Sequence, residues 1–84
     1  MIQLKVTKFN KKQTNTINNT LTFCTPKMSL ILKCLALAEE YANEINGDLD
    51  RVPQEDVEQV LINLTPNNVE EIASELAELA HWFN

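Results

Sequence analysis

The sequence predicts an α+β fold in which an N-terminal antiparallel β-hairpin packs against three helices, in the order ββααα. Three observations carry that assignment. Apolar and polar residues alternate strictly near the start, as in Ile2-Gln3-Leu4-Lys5-Val6-Thr7, which is the two-residue period of a half-buried strand. Later segments repeat their apolar residues at helical spacing, and Thr25-Pro26, Pro53 and Thr65-Pro66 stand before them as start signals. The single glycine, Gly47, falls where the first of those segments should end. With 84 residues the chain makes one small α+β domain, 1–84.

In the first strand Ile2, Leu4 and Val6 share one face and Gln3, Lys5 and Thr7 the other. Thr20-Leu21-Thr22-Phe23-Cys24 repeats that period with Leu21 and Phe23 inward, and Ile17 is in phase with them if the second strand begins near Gln13. Asn10-Lys11-Lys12 has turn composition, so a hairpin is the simplest arrangement. A second turn at Asn18-Asn19 would make it a three-stranded meander.

The first helix is expected from Thr25-Pro26 to about Asn46, with Gly47 taking the left-handed conformation beyond its end. At about 100° per residue, Leu30, Ile31, Cys34, Leu35, Leu37, Ala38, Tyr41, Ala42 and Ile45 spread over roughly 160°. So wide an arc predicts a central helix, covered by the sheet on one flank and by helices on the other. A connector, Asp48-Leu49-Asp50-Arg51-Val52, leads to a short helix from Pro53, with Val57, Val60, Leu61 and Leu64 on one face. The last helix, after Thr65-Pro66, carries Val69, Ile72, Ala73, Leu76, Leu79, Ala80 and Phe83 on a narrow stripe.

Charge is divided along the chain. Residues 1–38 hold six lysines and no carboxylate, whereas residues 39–84 hold all twelve carboxylates and one cation, Arg51. The net charge of −5 therefore conceals two halves of opposite sign, a pattern that concerns association rather than chemistry. No run is long and apolar enough to span a bilayer and the N-terminus lacks a signal-peptide core, so a cytoplasmic protein with no membrane contact is expected. Cys24 and Cys34 lack CxxC spacing and companion ligands, and read as two reduced, buried small hydrophobes.

Five carboxylates have a local purpose. Glu55, Asp56 and Glu58, and Glu70 and Glu71, lie in or near the first turns of their helices, where negative charge complements the backbone dipole by ~0.3–1 kcal/mol each. Glu71, Glu75 and Glu78 also line one side of the last helix at i, i+4, i+7 with no interleaved Lys or Arg, an arrangement in which like charges repel slightly. A solvated face accounts for such a strip. The sharper expectation is a docking surface for a basic partner, with Trp82, about 100° off the apolar stripe and beside these acids, as its anchor. The plainer reading of Trp82 is that it closes the edge of the core.

At the other end, Lys5, Lys11 and Lys12 would contact phosphates if two hairpins paired into a DNA-binding ribbon. No Arg is present there for bidentate base contacts, and a solvated strand with a charged turn accounts for the lysines equally well. His81 stands alone, without a second His or an orienting group.

The segments Leu35-Ala36-Leu37-Ala38-Glu39-Glu40-Tyr41 and Val52-Pro53-Gln54-Glu55-Asp56-Val57-Glu58-Gln59-Val60-Leu61 resemble the helix grammar of small AAA+ ATPase subdomains and of histone-like folds. The resemblance implies a helical packing unit and no family. Without a Walker sequence it implies no nucleotide chemistry, and the acidity of the segment does not suit histone-like DNA binding.

A nucleophile–base–orienter set, a glycine-rich phosphate loop and a ligand cluster are all missing from the sequence. The expectation is a non-enzymatic interaction module, a regulator or adaptor without cofactor or metal. It would present Glu71, Glu75, Glu78 and Trp82 to a basic protein partner, or to a second copy as a homodimer. The alternative is a nucleic-acid-binding homodimer that uses the lysine-rich hairpin.

Overall fold

A computed structural model describes residues 26–84, except the side chains of Lys27 and Met28. It contains α1 (Pro26–Glu44), a 3-10 turn η1 (Leu49–Arg51), α2 (Gln54–Ile62) and α3 (Val69–Trp82). The described residues are all helical, so the α+β assignment is corrected: over this part of the chain helices pack on helices, with no strand among them. The strands expected between Ile2 and Cys24 fall outside the described residues.

Pro26 is the first residue of α1, as its fixed φ and missing N–H favour. The helix stops at Glu44 in a Schellman arrangement: the Asn46 N–H donates to the Asn43 carbonyl (3.3 Å) and the Gly47 N–H to the Ala42 carbonyl (2.7 Å). The left-handed residue is Asn46, at φ 58°, and not Gly47. Asn tolerates that region because its short polar side chain suits the local geometry. Gly47 is needed for a different reason. A Cβ there would stand 3.1 Å from the Ala80 Cβ and 3.2 Å from both the Ala80 carbonyl carbon and the His81 nitrogen. The end of α1 thus lies directly against the last turns of α3.

The segment read as a connector is structured. The Asp48 carboxylate accepts from the Asp50 N–H at 3.0 Å, and lies 3.7 Å from the Arg51 guanidinium. The turn so formed drives Leu49 and Val52 into the core, where both are essentially inaccessible.

α2 starts one residue after Pro53. α3 starts at Val69, after a turn over Thr65–Asn68. Asn68 braces that turn, its Oδ1 accepting from the Thr65 N–H (2.6 Å) and its Nδ2 donating to the Asn63 carbonyl (2.7 Å).

The core gathers Ile31, Cys34, Leu35, Ala38 and Ala42 from α1, and Val57 and Leu64 from α2 and its end. From α3 it takes Val69, Ile72, Ala73, Leu76, Ala77 and Ala80. Each fully buried Leu, Ile or Val contributes ~1.5–3 kcal/mol relative to exposure. The principal helix pair is α1 with α3, and α3 also touches α2 and η1. Among the described elements α3 therefore meets α1, α2 and η1, whereas the sheet expected on the other flank of α1 falls outside the described residues. The flanks of the wide apolar arc of α1, Leu30, Leu37, Tyr41 and Ile45, are only partly buried.

Candidate docking groove

The stripe that α3 buries leaves its opposite side to solvent. Glu71, Glu75, Glu78 and Trp82 fall within roughly a 60° arc at about 100° per residue, facing away from the core. All four are exposed. Trp82 is 78% exposed, so the reading in which it closes the core edge is set aside. Phe83, expected on the inward stripe, is 45% exposed; it is the C-cap of α3, its N–H donating to the Leu79 carbonyl.

These four side chains line one groove of about 550 Å³, together with Val60, Ser74 and Leu79. Val60 comes from α2 and the rest from α3, so the groove follows the seam between two helices. Its apolar members are Val60 and Leu79, both half-buried, and the indole of Trp82; its charged members are the three carboxylates. His81 stands beside the indole, its ring 6.3 Å from the Trp82 ring and inclined by 67°.

Among the described residues none is an ion-pair partner of Glu71, Glu75 or Glu78. The N-terminal lysines, Lys5, Lys11 and Lys12 included, lie outside the described residues.

A second depression, of about 570 Å³, is lined by Asp50, Arg51, Val52, Pro53, Gln54, Glu55 and Glu58. Here Arg51 meets Asp48, and the Gln54 amide donates to Glu58 at 3.1 Å. No group of three or more His, Cys, Asp or Glu among the described residues is placed to hold a metal ion. Cys34 is a free, buried thiol, pushed up to about 12 by burial, hence protonated and a poor nucleophile at neutral pH. No helix among the described residues is long and apolar enough to cross a membrane.

Sequence reasoning found the acidic strip and Trp82 but missed Val60, Ser74 and Leu79 as their neighbours. The helical period turns Val60 and Leu79 toward the core, and both do pack against it, half-buried. That period does not reveal that two half-buried residues on adjacent helices leave a channel between them.

No family model matches the chain, and no curated protein or solved structure matches it either.

Proposed function

We propose that this protein is a non-enzymatic interaction module, a regulator or adaptor, whose acidic groove between α2 and α3 takes a basic protein partner. The observation that carries the reading is the meeting of Glu71, Glu75, Glu78 and an exposed Trp82 on one groove, with no cation among the described residues to neutralise it. Rim ion pairs contribute only ~0.2–1 kcal/mol each, so the carboxylates would supply mainly orientation and association rate. Trp82 would supply most of the affinity, as aromatic anchors do. The charges also disfavour nucleic acid at this face, because phosphates and carboxylates repel.

The test is affinity capture from the native host, comparing the wild-type chain with Glu71→Gln/Glu75→Gln/Glu78→Gln and with Trp82→Ala, read by mass spectrometry. The expected result is one basic protein held by the wild type and lost from both variants, whose circular dichroism stays unchanged. Equal recovery by the wild type and the triple variant would remove the groove from the explanation.

A further inference from the structure

We infer that the segment this groove receives is an amphipathic basic α-helix, rather than an extended peptide or a loop. The inference rests on the docking reading above and adds the conformation and residue spacing of the occupant. Both sides of the groove are helices, α2 through Val60 and α3 through the remaining lining residues. Helix interiors have already spent their N–H and C=O groups within the helix, so the groove offers no sheet edge to an incoming strand. A helix lying in it keeps its backbone bonds internal, whereas an extended chain would find no backbone partner in the groove and would have to leave its N–H and C=O groups to water.

The charges give the register. Glu71, Glu75 and Glu78 extend about 10 Å along α3 at 1.5 Å per residue. Cations repeating at i, i+3 or i+4, and i+7 on a partner helix cover that length with the same spacing. Apolar side chains on the flank beside those cations would meet Val60, Leu79 and the face of Trp82, as ridges of one helix settle between two others. At the Trp82 end an Arg is favoured over a Lys, because its planar guanidinium stacks on an indole.

The probes are synthetic peptides titrated into the full chain. Calorimetry reads binding, and the fluorescence of Trp82, the single tryptophan of the chain, reports on the groove itself. The first peptide is alanine-rich, with lysines at i, i+3 and i+7 and leucines on the adjoining flank. The second has the same composition with one central residue replaced by proline, which breaks the helix. The third keeps the lysines and scatters the leucines around the helix.

The helical peptide should bind and perturb Trp82, with the proline-broken and leucine-scattered peptides each weaker by roughly tenfold or more. Glu71→Gln/Glu75→Gln/Glu78→Gln should weaken the helical peptide by a similar factor, as should raising the salt to about 1 M, which shortens the screening length to roughly 3 Å. Equal binding of helical and proline-broken peptides would overturn the helix inference while leaving a basic docking site intact. Failure of every cationic peptide to bind at low salt would overturn both.

Discussion

Gly47 and Asn46 divide between them a role that helix-ending rules usually give to one residue. Asn46 takes the left-handed turn and Gly47 lets α1 approach Ala80. Gly47→Ala should therefore cost about 1–2 kcal/mol, because the new methyl meets backbone atoms of α3 that cannot yield as a flexible side chain would. Asn46→Gly should stay within about 0.5 kcal/mol of wild type, since glycine accepts the same φ; urea unfolding of both variants measures the contrast. Cys34 supplies a pH dependence. A thiol is neutral when protonated, so burial that raises it from 9.0 to about 12 makes the folded state hold its proton more tightly than the unfolded chain. That contribution to stability is complete below about pH 9 and is lost as pH rises toward 12, at up to about 1.4 kcal/mol per pH unit. Chemical denaturation across that range should show the decline in wild type and a flatter profile in Cys34→Ala.

Among the elements, the helix starts are the most legible in the sequence. Pro26, Pro53 and Pro66 each precede or open a helix within a few residues of its observed start, since proline's preferences act locally. The apolar periods of α1 and α3 are equally plain, and most residues they select are buried. Leu49 and Val52 escaped detection because a three-residue turn is too short to show a period; it is held instead by the Asp48 side chain. Leu76 lies at the middle of α3, the element that touches each of the others, and is fully buried. Leu76→Ala should cost ~2–5 kcal/mol, a large share of the stability of a domain this small. Asn68→Ala should cost about 1 kcal/mol, through its bonds to Thr65 and Asn63. Thermal melts followed at a helical wavelength would rank the two.

At the scale of the whole molecule, charge is placed at some expense to stability. Glu71, Glu75 and Glu78 repel one another along α3, and i, i+4 repulsions cost a few tenths of a kcal/mol. Glu71 also complements the dipole at the first turn of α3, so the cleaner test replaces Glu75 and Glu78 by Gln, which should leave the melting temperature unchanged or slightly raised even as partner binding falls. A lowered melting temperature would instead assign the carboxylates a structural role. The acidic strip and Trp82 were readable because their spacing lies on a single helix. The groove was not, because it exists only where α2 and α3 meet, between residues distant in sequence.

By itself the sequence determined where the helices begin, which faces they bury and how charge divides along the chain, since these follow from local backbone preferences and the helical period. Only the tertiary structure decided that α3 meets each of the other described elements, that Gly47 serves close packing rather than a left-handed turn, and that Trp82 faces water beside an apolar seam. Each of those depends on how separate segments approach one another, and no periodicity along a single segment encodes that approach.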